Sequence, residues 1–210
     1  MTLLVVTAVA AEAEAVLRGL EADSRIVVAP VGVGMAAAAA GTARLLTLAD
    51  GRYSGVVNFG IGGGIGVPLG GTVLAARSIA ADLGADSPEG FITLDELGFG
   101  TAIGTVDQKL LTLLRAALPG APVGDVLTVN TVTGTAEQTV LLTQRYPDAV
   151  AEGMEGFGVA CAASQADVPF AELRTVSNMV GPRDRAAWEI GGALDSLTKA
   201  ARMVSAALTT

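Results

Sequence analysis

Val56-Val57-Asn58-Phe59-Gly60-Ile61-Gly62-Gly63-Gly64-Ile65-Gly66 is the stretch on which the choice of fold turns. An apolar, β-branched run feeds directly into glycines, the pattern of a buried strand that delivers a loop able to cradle an anion or admit a ligand to the backbone. A Gly-x-Gly-x-x-Gly dinucleotide site needs a helix straight after such a loop. Here Val67-Pro68-Leu69-Gly70-Gly71 comes next, and then another strand, Thr72 to Arg77. The segment therefore reads as strand, loop, strand, with Gly62 and Gly63 in a nearly side-chain-free pocket wall.

Elements on either side follow the alternation of an α/β chain. Leu3 to Val9 is a continuous apolar run, the mark of a strand covered on both faces. A helix is expected over Ala10 to Leu20, a strand over Ile26 to Val31, and a helix over Met35 to Ala49 opened by Gly32-Val33-Gly34. Ala81 to Gly104 reads as an irregular surface excursion. Asp107 to Leu118 and Thr135 to Tyr146 read as capped helices, with a strand at Val123 to Val129 between them. Phe157 to Ala166, Phe170 to Val176 and Ala186 to about Leu208 complete the chain as helix, strand and helix. No repeat or composition break divides it, so residues 1–210 are expected to form one domain.

The chain's 210 residues are 51% hydrophobic and 16% charged, enough to bury a large core. Few aromatics and 27 glycines require that core to be filled by Val, Leu, Ile and Ala. A net charge of −8 excludes nucleic acid and anionic membrane as partners, since both demand Lys and Arg. With no histidine in the chain, His general bases and His-ligated metals are excluded, and no metal or organic cofactor is expected. The lone Cys161 cannot pair within the chain and reads as packing, in a reducing, cytoplasmic compartment. Leu3 to Ala11 lacks the basic residues of a signal peptide. The uncharged stretch from Tyr53 to Ala76 is broken by glycines and Pro68, so no transmembrane helix is expected.

Charge is scarce enough that its placement is informative. Glu152-Gly153-Met154-Glu155-Gly156 sets two carboxylates at the start of a helix, where the dipole and free N–H groups favour negative charge. That arrangement marks Glu155 as a fixed anion, or as a plain capping residue, and leaves Glu152 as structural. Glu12, the Gly60–Gly66 stretch, Met154-Glu155 and Ser177-Asn178 all follow strand ends or open helices, where open α/β sheets bind ligands. They are expected to converge on one pocket.

Thr7-Ala8-Val9-Ala10-Ala11-Glu12, Gly32-Val33-Gly34, Asn58-Phe59-Gly60-Ile61-Gly62-Gly63 and Gly153-Met154-Glu155-Gly156 together resemble the nucleoside phosphorylase and nucleosidase superfamily. The ending Val176 to Trp188, with Ser87 to Phe91 and Leu94 to Gly100, looks like its futalosine hydrolase branch. The resemblance implies a three-layer α/β/α fold with a central mixed, largely parallel twisted sheet, and a homo-oligomer of two or more subunits. It further implies hydrolysis of the N-glycosidic bond of futalosine, releasing hypoxanthine on a menaquinone route. Glu12 matches the family's water-activating glutamate, and Glu155 the one that holds the ribose hydroxyls, with Met154 against the sugar. Ser177, Phe157, Gly62 and Gly63 complete the expected substrate contacts. Asn178 replaces the aspartate of methylthioadenosine nucleosidases. Its amide carries two N–H donors and no charge, which suits the N7 and O6 acceptors of hypoxanthine.

Three rival readings are weighed on the same residues: a methylthioadenosine-type nucleosidase, a phosphorylase and a catalytically silent nucleoside-binding protein. Asn178 speaks against the first. The second lacks cations beside the glycines, and Glu12 would repel its phosphate. Arg183-Asp184-Arg185 is either a solvated helix start or a fork for the carboxylate on the substrate's aromatic tail.

Overall fold

A computed structural model describes residues 2–21 and 23–208. The elements are β1 (Leu3–Thr7), α1 (Ala10–Leu20), β2 (Ile26–Pro30), α2 (Met35–Ala49), β3 (Gly55–Gly64) and β4 (Thr72–Ala80). Then come β5 (Gly84–Ser87), β6 (Gly90–Thr93), α3 (Leu94–Leu97), β7 (Ile103–Thr105), α4 (Gln108–Ala117) and β8 (Val123–Thr128). The chain closes with α5 (Ala136–Arg145), β9 (Ala149–Gly153), α6 (Gly156–Gln165), β10 (Phe170–Met179) and α7 (Ile190–Ala207).

The central sheet runs β10-β4-β8-β9-β3-β1-β2, and β10 also pairs with β3, so five of its strands close into a ring while β1 and β2 extend from it. Its β1–β2, β1–β3, β3–β10, β4–β8 and β8–β9 ladders are parallel, whereas β4–β10, β3–β9 and β4–β7 are antiparallel. This is the mixed, largely parallel sheet of a three-layer α/β/α fold. Helices α1, α4 and α7 cover one face and α2 with α6 the other. β1 explains its own run of aliphatics: Leu3, Leu4, Val5 and Val6 are sealed from solvent between those helix layers.

The glycine stretch is not a loop. β3 continues through Gly60 to Gly64, paired along its whole length with β10. Glycine is required there by crowding: a Cβ on Gly60 would stand 2.5 Å from the Arg174 guanidinium. β10 correspondingly runs past Val176 to Met179, with a bulge between Val176 and Asn178. β9 is an additional strand, and the Ala81–Gly104 excursion is a β5–β6 hairpin followed by α3 and β7. The last helix starts at Ile190, after a short 3-10 turn over Arg185–Ala187 capped by Asp184. No helix among the described residues is long and apolar enough to cross a membrane.

Candidate active site

The site sits where the sheet forks. Along one edge of β3, β1 pairs only as far as Asn58, opposite Val6, and β9 joins only at Gly63, opposite Glu152. Between these points the strand lacks a ladder partner on that edge, and its backbone groups must be satisfied by side chains. Glu12 answers this need. Its Oε1 accepts the Ile61 N–H at 2.9 Å, while Oε2 accepts the Ala8 and Val9 N–H groups at 2.8 and 3.2 Å. The Val9 contact satisfies the backbone N–H of the residue that caps α1, a position where valine has no side-chain acceptor of its own. Glu12 is therefore buried and fixed, keeps acceptor capacity on Oε1, and lines a cavity of about 370 Å³.

Glu155 enters the same cavity from the N-terminus of α6. Its Oε1 accepts the Gly34 N–H at 3.2 Å, and Oε2 accepts the Met154 N–H at 3.3 Å and Arg174 Nη1–H at 3.1 Å. Arg174 lies below the pocket in β10, fully buried, and also donates from Nε to Glu172 Oε1 at 2.9 Å and from Nη2 to Asn58 Oδ1. Burial works against this guanidinium's charge, but Glu172, Glu155 and Glu12 outweigh it and hold the group above its ordinary range. Burial pushes the Glu172 carboxyl up, against the pull of Arg174. Glu172 and Arg174 are alternate residues of one strand and so share a face. Neither is among the residues expected at the site from the sequence, although a period-two pair of charges inside an apolar strand is a signal that the sequence carries.

At the other end of the cavity, Asn178 Oδ1 accepts the Ser177 Oγ–H at 2.9 Å, which fixes the amide orientation, and Nδ2–H donates to Met179 O at 3.1 Å. One N–H of the two expected donors is thus engaged within the chain, and one remains for a ligand. Ser177 Oγ also lies 3.2 Å from the Gly62 carbonyl. Gly62, Gly63, Met154, Ser177 and Asn178 line the cavity with Glu12 and Glu155. Glu152, Thr133, Arg183 and Trp188 line it as well. The Arg183 guanidinium is 5.5 Å from the Trp188 ring. Arg185, 5.9 Å from the same ring, is not in the lining.

Phe157 lies elsewhere. Its backbone N–H bonds Thr128 Oγ1 at 2.9 Å, and its ring packs with Ala80 and Ala102. It lines a separate cleft of about 480 Å³ beside Cys161, away from Glu12, Glu155 and Asn178. Phe157 comes two residues after Glu155, about 200° round the helix, so nearness in sequence does not carry it into the cavity. Cys161 packs in that same cluster, and burial pushes its thiol up. No cluster of metal-ligating side chains occurs among the described residues.

The phosphorylase superfamily model matches residues 6–210. A futalosine hydrolase from Streptomyces coelicolor is 48% identical over 95% of this chain and 93% of its own length. Among solved structures, a 5′-methylthioadenosine/S-adenosylhomocysteine nucleosidase from Colwellia psychrerythraea in complex with adenine superposes with a TM-score of 0.82 at 20% identity, over 99% of this chain and 96% of that one. Futalosine hydrolase of Helicobacter pylori gives a TM-score of 0.78 at 18% identity, over 100% and 96%. The two structures share the fold, and the Streptomyces relative carries the assignment: the chain belongs to the futalosine hydrolase family of the phosphorylase superfamily.

Proposed function

We propose that the chain hydrolyses the N-glycosidic bond of futalosine, releasing hypoxanthine and dehypoxanthine futalosine on a menaquinone route. The observation that carries this reading is the convergence of Glu12, Glu155 and Asn178 on one cavity at the fork of the sheet. Cleavage of C1′–N9 builds positive charge on the ribose and negative charge on the leaving base. Glu155, with Met154 beside it, accepts the ribose hydroxyls and offsets the sugar's charge. Glu12 orients a water through its remaining Oε1 acceptor site and takes its proton as the oxygen bonds to C1′. Asn178 gives its free N–H to the departing hypoxanthine. An amide cannot surrender a proton, so the base leaves as an anion stabilised by that hydrogen bond and is protonated by water afterwards.

We read residues 1–210 as one nucleosidase domain acting in the cytoplasm, without a cofactor, as a dimer or larger assembly. The stretch after α3, where Phe99 is 80% exposed, is the surface offered to a neighbouring subunit. Incubation with futalosine, aminodeoxyfutalosine, inosine and methylthioadenosine, with and without phosphate, tests the reaction. Hypoxanthine release without phosphate is expected; a phosphate requirement would make the enzyme a phosphorylase, and preferential adenine release a methylthioadenosine-type nucleosidase.

Asn178→Asp is expected to lower kcat/KM for futalosine about 10- to 100-fold, the scale of a lost hydrogen bond to a charged group, because a carboxylate would repel O6 and the anionic base. Unchanged activity on 6-oxopurine nucleosides would remove the role given to Asn178. Arg183, exposed and beside Trp188 in the cavity lining, is assigned here to the tail carboxylate. Arg183→Ala should raise KM for futalosine about two- to fivefold, the range of a solvated ion pair, while leaving the KM of a tailless nucleoside alone. Equal shifts for both substrates would reduce Arg183 to a surface residue.

A further inference from the structure

The geometry points to Glu152 as the residue that selects a 6-oxopurine, by accepting the N1–H of the base while Asn178 donates to a neighbouring edge. This rests on reading the cavity as a purine nucleoside site. Register is the first ground. Gly63 in β3 stands opposite Asn178 of β10 on one side and opposite Glu152 of β9 on the other. Residues facing one another across adjacent strands present side chains to the same face. The two polar groups thus flank a glycine across two strand spacings, about 10 Å, and both line the cavity. A Cβ on Gly63 would come within 3.3 Å of Asn178 Nδ2 and 2.7 Å of Val180. Crowding by those two side chains keeps position 63 a glycine and lets Asn178 lie close against the strand that also faces Glu152.

The second ground is the state of the carboxyl. Glu152 is 5% exposed, and no Lys or Arg pairs with it among the described residues. It is held instead by Thr133, whose N–H donates to Oε1 at 2.9 Å and whose hydroxyl donates to Oε2 at 2.5 Å. Those two donors orient the group and leave each oxygen a further acceptor site. Burial pushes this carboxyl up, and Thr133 only partly offsets the push. A ligand N–H would supply the missing stabilisation. Hypoxanthine carries a hydrogen on N1, whereas adenine presents a lone pair there, which would face the carboxylate oxygens directly. Glu152 and Asn178 therefore read neighbouring edges of the base: an acceptor for N1–H and a donor for the N7/O6 side.

Binding of the free bases tests this without any turnover. Calorimetric titration of the wild-type protein with hypoxanthine, 1-methylhypoxanthine and adenine is expected to favour hypoxanthine by about 10- to 100-fold, the scale of a hydrogen bond to a charged group. Glu152→Gln keeps both Thr133 contacts, because the hydroxyl can turn to accept, and should collapse most of the ratio between hypoxanthine and adenine. Loss of binding for all bases alike, an unchanged ratio, or equal wild-type binding of hypoxanthine and its 1-methyl form would overturn the proposal. If the variant does not fold, the wild-type comparison decides alone. Base release from futalosine is assayed separately: its failure, with N1–H-dependent binding intact, would sink the hydrolase reading and leave this one standing.

Discussion

Glu12→Gln is expected to retain nucleoside affinity and to lose about 10²- to 10⁴-fold in kcat, the usual contribution of a positioned general base. The carboxylate is already committed to three backbone N–H groups, those of Ala8, Val9 and Ile61, so its orientation does not depend on substrate. Only the remaining acceptor site on Oε1 is available to a water. A glutamine places its oxygen on the Ala8 and Val9 pair and turns its NH₂ towards Ile61 N–H. The water then meets a donor where it needs a base. That donor-to-donor contact also costs about 1–3 kcal/mol of stability, so a urea titration should accompany the kinetics to show that the variant remains folded under assay conditions. Single-turnover measurement of hypoxanthine release, beside calorimetric binding of a substrate analogue, separates the two effects. Turnover close to that of the wild type would exclude Glu12 as the group that activates water.

Much of this arrangement is legible in the chain because it is built from strand ends. β1 is readable as a doubly buried strand, and residues just past the end of such a strand in an α/β sheet lie at the ligand-binding edge; Glu12 falls there. The same logic places Met154-Glu155 and Ser177-Asn178 on the cavity. Other features depend on pairing, which a single chain does not display. Gly60 to Gly64 reads as a loop because glycine is poor in strands, yet tertiary crowding by Arg174, Glu152 and Val180 selects it inside β3. β9 is a five-residue strand whose apolar signal is cut short by Glu152, a side chain turned into the cavity rather than towards bulk water. The bulge that brings Asn178 opposite Gly63 has no local signature. Phe157 sits near Glu155 in sequence, and the turn of α6 carries it to another cluster.

Arg174→Met is expected to destabilise the protein by about 3–5 kcal/mol, the cost of stranding buried charges when one partner is removed. Methionine matches the aliphatic stem but not the guanidinium, so a small cavity term adds to the electrostatic loss. Three groups lose their partner: Glu172, which is fully buried in β10; Glu155, which shares its Oε2 between Arg174 and Met154 N–H; and Asn58, whose amide otherwise bonds Val6 O at 3.1 Å. Against a typical total stability of about 5–15 kcal/mol, such a loss should be plain in the urea midpoint. A second substitution tells charge from packing. Arg174→Met with Glu172→Met removes the deepest surplus carboxylate along with the cation, and replacing a buried pair by apolar residues of similar volume is often neutral. The double variant should therefore recover much of the stability lost by the single one, while remaining impaired in turnover because Glu155 has lost the cation that orients it. A single variant as stable as the wild type, or a double variant no better than the single, would show that the network does not bear the charge balance assigned to it. Arg174→Lys offers no simple rescue: an ammonium cannot match the separate directions in which the guanidinium fork meets Glu172, Glu155 and Asn58. Glu155 is thus held from below by a charge in β10, and its geometry and the stability of the sheet depend on the same arginine.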